Sequence, residues 1–246
     1  AAMSTIATKD GDEYVLEGVK TWITNSPIAD LAVIWAKVTN EDNQIRGFVV
    51  ERGTEGFDTP KIDGKFSLRA SETGEIHLTD CRIPAANLLP DSNGLKSPLQ
   101  CLTQAREGIA WGVTGPAIDC YETVLNYGID RIAFGRPIAQ TQLYQAQLVE
   151  MATMITNSQL MSLHFGRLKD NGKLTPIQVS MHKRHNVECA RKIASMARGM
   201  LGAIGITDAY PVIRHMMNIE SVYTYEGTHE IHTLALGRAV TGLNAF

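Results

Sequence analysis

The sequence predicts an α+β chain in two parts: a small β-barrel or sandwich domain, then an all-α four-helix-bundle domain. Up to Pro90, short runs rich in β-branched and aromatic residues alternate with Gly, Pro, Asn and Asp, the punctuation of a β-domain. Beyond it, apolar residues recur with the 3.6-residue period of helices. The 246 residues are 44% hydrophobic and 20% charged, which leaves enough apolar side chains for two packed cores and excludes a disordered or collagen-like chain.

The elements follow in order. Tyr14-Val15-Leu16 leads to Gly18, and Thr21-Trp22-Ile23-Thr24 to the turn Asn25-Ser26-Pro27. Leu31 to Ala36 is a continuous apolar run and Gly47 to Glu51 another; Glu75 to Leu78 and Cys81 to Pro84 close the strand series. The stretch Pro84 to Pro98, with Asp91-Ser92-Asn93-Gly94 inside it, reads as a linker, giving a β-domain over 1–92 and a helical domain over 93–246. In the second part Cys101, Leu102, Ala105, Ile109 and Val113 form one stripe. Leu143, Ala146, Leu148, Met151, Met154 and Ile155 form a second, and Val179, Val187, Ala190, Ile193, Ala194 and Ala197 a third. Such stripes bury against one another as a bundle. Pro137 and Pro176 stand where helices should begin, Gly202 and Gly205 where one should end, and a last helix covers Glu230 to Thr241.

Composition narrows the function classes. With 23 Lys and Arg against 26 Asp and Glu, the net charge is -3, so there is no basic surplus to neutralise a nucleic-acid backbone. No apolar run reaches the ~18 residues of a membrane span. Cys81, Cys101, Cys120 and Cys189 are widely spaced with no C-x-x-C pair, which argues against a zinc site or a disulfide scaffold and fits a reducing compartment. His182 and His185 are three apart, but Lys183 and Arg184 between them read as a solvated basic turn, so no metal ligand is assigned. The opening residues lack the apolar core of a signal peptide, and a strand pattern follows almost at once; the chain reads as cut from something longer.

Local strings point to chemistry. Trp22-Ile23-Thr24-Asn25 on a strand, Arg131-Ile132-Ala133-Phe134-Gly135 ahead of a helix, the turn Leu201-Gly202-Ala203-Ile204-Gly205, and Tyr225-Glu226-Gly227-Thr228 before the last helix together resemble the acyl-CoA dehydrogenase family, in its order and at its separations. Lys65 to Ser71, Ala105 to Gly112 and Thr224 to His232 resemble the branch of that family that oxidises and decarboxylates glutaryl-CoA to crotonyl-CoA. The resemblance covers the middle β-domain and the C-terminal helical domain. It places the family's N-terminal helical domain, a flavin-binding loop and the arginine for the distal carboxylate upstream of residue 1. Three positions depart from the family pattern: Ala203-Ile204 stands where relatives have Gly-Asn, and Ala133 where many have Thr. The methyl of Ala203 is tolerable only at negative φ.

The resemblance implies the following roles. Glu226 is the catalytic base that removes the substrate α-proton, and Gly227 lets the backbone approach the thioester. FAD would be held non-covalently by Trp22, Ile23, Thr24, Arg131, Phe134, Gln142, Gly199, Met200, Leu201, Gly202, Ala203, Thr228 and Phe246, with Arg131 and the 199–203 turn serving a neighbouring subunit's flavin. The acyl-CoA would lie along Leu99, Gln100, Cys101, Leu102, Thr103, Gln104, Ala105 and Arg106, beside Tyr225 and Gly227. It further implies a homotetramer, electron-transfer flavoprotein as acceptor, and a place in the bacterial cytoplasm or the mitochondrial matrix. Each segment also has a plainer reading: Glu226 a surface carboxylate with Thr228 as N-cap, Trp22 a core indole, Arg131 a partner of Asp130, and Leu99 to Arg106 an amphipathic helix. A short-chain dehydrogenase, an acyl-CoA oxidase and a non-catalytic relative stand as alternatives; the joint presence of Glu226, Thr24 and Arg131 argues against the last.

Overall fold

The computed structural model describes residues 3–245. Its contacts divide the chain into two units, Ala1–Cys101 and Leu102–Phe246.

The first unit is one mixed sheet of six strands: β1 (Ile6–Asp10), β2 (Glu13–Thr24), β3 (Leu31–Val38), β4 (Gln44–Glu51), β5 (Phe57–Asp58) and β6 (Thr73–Pro84). They lie in the order β4-β3-β1-β2-β6-β5, with β1 parallel to β3 and the other pairs antiparallel. β4 and β5 do not pair, and β5 is two residues long, so among the described residues the sheet is open and no barrel closes. The core is built by alternation: Tyr14 and Leu16, Ile34, Ala36 and Val38, and Ile76 and Leu78 all point inward. In β6 a bulge at Asp80 (φ 45°) lets Leu16 face Cys81 while Gly18 faces Leu78. The extra residue shifts the buried positions from Ile76 and Leu78 to Cys81 and Ile83, which is why one strand reads in sequence as two. The apolar run in β3 is likewise one-sided, since Leu31 and Val33 are exposed.

The segment expected to be a linker is docked. Leu89 N donates to Gly47 O at 2.8 Å and Gly94 N to Ile45 O at 2.9 Å, and the buried Ser92 Oγ accepts from Gly47 N at 3.1 Å. Helix α1 (Lys96–Gly112) follows, with Pro98 in its first turn, where no intrahelical N–H bond is lost.

The second unit continues with α2 (Thr114–Asp130), the hairpin β7 (Ile132–Ala133) and β8 (Arg136–Pro137), then α3 (Gln142–Asp170), α4 (Pro176–Met200), α5 (Val212–Thr224) and α6 (His229–Thr241). Helix α4 is central and packs on α2, α3, α5 and α6. Its start is written in sequence: Thr175 Oγ1 accepts from Gln178 N, Gln178 Oε1 accepts from Thr175 N, and Pro176 is the first helical residue. Pro137 instead closes β8 and leads into a single 3-10 turn, so α3 begins five residues later than its proline suggests. The stripe expected on α3 is also shifted. Leu143 and Ala146 face outward, and the buried positions are Tyr144, Met151, Ile155, Ser158, Ser162 and Phe165.

Candidate active site

The turn between α5 and α6 holds Glu226 in an unusual backbone. Glu226 has φ 55° and Gly227 φ 89°, two successive left-handed residues. A Cβ on Gly227 would lie 2.9 Å from His232 Nε2, so glycine is required both by conformation and by space. Three consecutive carbonyls of this turn are gripped from three helices. Lys183 Nζ of α4 donates to Tyr225 O at 3.0 Å and to Gly227 O at 2.8 Å. Arg106 Nε of α1 donates to Glu226 O at 2.7 Å, and His232 Nε2 of α6 donates to the same oxygen at 3.2 Å. A carbonyl can only accept, so His232 carries its proton on Nε2.

These donors are inside the protein. Lys183 and His232 are each 1% exposed. Burial, aided by the Arg106 charge, pushes Lys183 down to about 8; burial and the Lys183 charge push His232 down to about 4. Burial also lowers Arg106, with the Glu226 carboxylate opposing. Two polar atoms of Glu226 itself are left unpaired among the described residues. Glu226 Oε2 is buried without a hydrogen-bond partner, and among the described residues nothing accepts from the Glu226 N–H. One residue thus carries both an unpaired carboxylate oxygen and an unpaired backbone N–H, groups of the kinds that accept a proton and donate to an oxyanion. Thr228 caps α6, its Oγ1 accepting from Ile231 N at 3.3 Å, so the plainer reading of Thr228 holds as well.

The other described candidates occupy four further places: the end of β2, the β7–β8 hairpin with the start of α3, the end of α4, and α1. Trp22, Ile23 and Thr24 end β2, where a bulge between Lys20 and Ile23 puts Trp22 at φ 64°; Trp22 and Thr24 are both exposed, with Ile23 half-buried between them. The turn after them is fixed by Arg52, which donates to Ala29 O at 2.7 Å and Ser26 O at 2.9 Å. Phe134 and Gly135, at φ 53° and 76°, form the two-residue turn of the β7–β8 hairpin. Phe134 is 95% exposed at its tip, a bulky residue in a conformation that favours glycine. Arg131, at the base of the hairpin, is exposed and makes no ion pair among the described residues. Gln142 starts α3 and helps line a cleft of about 600 Å³ with Arg136, Gln140, Thr141 and Leu143. At the end of α4, Gly199, Gly202 and Ala203 are exposed, whereas Met200 and Leu201 are buried in the helical core and offer a ligand only backbone. Ala203 is absent from the positive-φ residues, so its methyl is accommodated, with Gly202 taking φ 64° in its place.

On α1, Leu99, Gln100, Cys101, Gln104 and Ala105 are exposed, and Leu102, Thr103 and Arg106 are half-buried. Phe246 lies outside the described residues. Sequence reasoning missed Lys183, taken for part of a solvated turn. Yet Lys183 stands four residues from both Val179 and Val187, on the apolar stripe already visible in sequence, and that spacing was the available signal.

Residues 1–81 match the model of the acyl-CoA dehydrogenase middle domain, and residues 92–241 that of the acyl-CoA dehydrogenase C-terminal domain. The chain belongs to the acyl-CoA dehydrogenase family. It is similar to two solved structures of glutaryl-CoA dehydrogenase from Mycobacterium smegmatis. One has a TM-score of 0.97 and 50% identity; the other, in complex with FADH2, has a TM-score of 0.97 and 44% identity. Each alignment covers 100% of this chain and 63% of the other. It is also 34% identical over 241 residues to the mitochondrial short-chain specific acyl-CoA dehydrogenase of Homo sapiens, covering 96% of this chain and 58% of that protein. The chain therefore spans less than two thirds of the length of these relatives. Among the described residues no helix is long and apolar enough to cross a membrane.

Proposed function

We propose that this protein catalyses FAD-dependent α,β-dehydrogenation of an acyl-CoA thioester, with glutaryl-CoA as its substrate, converted to crotonyl-CoA and CO2. The observation that carries the dehydrogenation is the Glu226 turn: a buried carboxylate oxygen without a partner, next to an unpaired N–H, on a backbone gripped at three successive carbonyls. Glu226 removes the α-proton of the thioester, and its backbone N–H donates to the thioester oxygen as negative charge develops there. A preorganised donor of this kind contributes ~3–4 kcal/mol in comparable sites. When bound, FAD supplies the two-electron acceptor for the β-hydrogen. With the α,β double bond formed, the bond from the γ-carbon to its carboxylate breaks as CO2 leaves, and its electron pair passes through the double bond to the thioester oxygen as a dienolate. Glu226, now protonated, returns the proton to the γ-carbon.

The side chains that would hold FAD suit it chemically. Arg131 and Arg136 offer guanidiniums with no ion-pair partner among the described residues to a diphosphate, Gln142 an amide beside the cleft, and Trp22 and Phe134 exposed rings to flat heterocycles. Thr24 and the backbone at Gly199 to Ala203 add hydrogen-bonding groups. The exposed face of α1 from Leu99 to Ala105 would receive the acyl-CoA. Assembly as a homotetramer accords with apolar side chains left in solvent: Leu143, Val149 and Leu160 on α3 and Val240 on α6. Light scattering of the full-length enzyme reads that mass directly. Electron-transfer flavoprotein is the proposed acceptor; an oxygen electrode separates this from an oxidase.

The glutaryl reading is favoured by 50% identity to a glutaryl-CoA dehydrogenase. The second reading, oxidation of a short monocarboxylic acyl-CoA without decarboxylation, is favoured by the 34% identity to the human short-chain enzyme. Offering glutaryl-CoA and butyryl-CoA to the full-length enzyme with a dye acceptor, while trapping labelled CO2, decides between them. Glutaryl-CoA is expected to release one CO2 per dye reduced. Efficient butyryl-CoA oxidation with no CO2 from glutaryl-CoA would establish the second.

A further inference from the structure

Lys183 is a buried ammonium that forms no ion pair among the described residues. It reaches from the middle of α4 to the two carbonyls on either side of Glu226, those of Tyr225 and Gly227. Packing does not need a charge at this position, where a methionine would fill the same space, and burying one is unfavourable unless it is fully used. What the charge secures is the turn. Two left-handed residues in succession, one of them a glutamate, are a strained arrangement that relaxes unless its carbonyls are held. Arg106 and His232 hold the Glu226 carbonyl; among the described residues Lys183 alone spans the turn and fixes the peptide planes on both sides of it.

We propose that Lys183 is a positioning residue for the reaction, its ammonium clamping the Tyr225 and Gly227 carbonyls so that the Glu226 carboxylate and the Glu226 N–H are aimed together at one substrate. This rests on the proposed role of Glu226. Lys183 touches no reacting atom: it acts through the backbone, and losing it displaces base and oxyanion donor at once. A displacement near 1 Å in a reacting geometry lowers a rate by about 10²-fold.

The test uses the full-length, FAD-loaded enzyme and Lys183→Met, which keeps the length of the stem and removes the ammonium. Anaerobic flavin reduction by glutaryl-CoA is expected to fall by about 10²-fold, while flavin content and the Kd for crotonyl-CoA, read from the flavin spectrum, stay within about threefold of the native values. Amide exchange over Tyr225 to Thr228 should quicken about tenfold in the same variant, with the centre of α4 unchanged. Lys183→Ala supplies the second arm: n-propylammonium should restore part of its rate and tetramethylammonium should not, because only the former can donate to two carbonyls. Native-rate reduction by Lys183→Met, or native exchange over Tyr225 to Thr228, overturns the inference, as does flavin or crotonyl-CoA binding lost in proportion to rate. If Lys183→Met does not fold, the Lys183→Ala rescue decides alone. Wild-type enzyme whose flavin no acyl-CoA reduces defeats the functional reading instead, and the exchange experiment then still tests the clamp.

Discussion

Glycine 227 shows how much one residue settles. Its φ of 89° excludes an easy alanine, and the 2.9 Å to His232 Nε2 excludes a methyl even if the backbone tolerated it. Gly227→Ala is expected to destabilise the second unit by roughly 2 kcal/mol, from about 1–2 for the left-handed backbone plus the displacement of His232. Thermal unfolding should shift down by several degrees, at about 2–4 °C per kcal/mol for a chain of this size. An unchanged melting temperature with full flavin reduction would show that the turn is softer than its geometry implies. At this scale much was legible: the string Tyr225 to Thr228 marks the turn. The donors around it were less so. Arg106 was expected to lie along the CoA, and its Nε also grips Glu226 O, while Lys183 comes from 42 and 44 positions before the carbonyls it holds, a pairing no local pattern announces.

At the level of the element, α4 explains why charged and polar letters misled. His182, Lys183 and Asn186 look like a wet face, yet they lie on the stripe of Val179, Val187 and Ala190 and are all buried. Each has a partner that sequence does not display: Ser162 Oγ for His182 at 2.7 Å, Ala110 O for Asn186 Nδ2 at 2.9 Å, and the turn carbonyls for Lys183. The same network makes α3 hard to read, since Ser158 and Ser162 stand where aliphatic residues would be expected. The longer strands were easier because a period of two is simple, and within them the reading slips at the bulges near Asp80 and Trp22, where an extra residue resets the count.

The buried histidines give this network a pH signature. His182 and His232 are both pushed down to about 4, mainly by burial. In the unfolded chain each takes up a proton near pH 6.5, the ordinary value. Between 6.5 and 4 the unfolded state therefore binds protons that the folded state refuses, so stability falls as the pH drops through that window and the loss ends below 4. The stabilisation at neutral pH relative to pH 4 is on the order of a few kcal/mol for the pair. Urea midpoints of the full-length protein should decline from pH 7 to pH 4.5, and His182→Gln should flatten the slope by about half, as expected when one of two equivalent sites is removed. A midpoint independent of pH over this range would contradict the burial of neutral imidazoles.

For the whole molecule, the sequence supports a two-part architecture because the periodicity changes once, from two to 3.6, and family strings lie in register on both sides of the change. The extent of the sheet was less legible: β1 and β5 carry few apolar residues, and nothing local reveals that the sheet stays open. The docked stretch between Leu89 and Gly94 was read as a linker because its composition is that of a loop, while its anchoring depends on β4 backbone that composition does not describe. The functional account depends on one group meeting substrate in the assembled enzyme. The most direct test is anaerobic flavin reduction by glutaryl-CoA in the full-length enzyme, wild type against Glu226→Gln, which keeps the shape and loses the proton acceptor. Rapid bleaching is expected in the wild type, and in the variant a rate lowered ~10²-fold or more with near-native ligand binding; bleaching of the variant at the native rate would rule out Glu226 as the base.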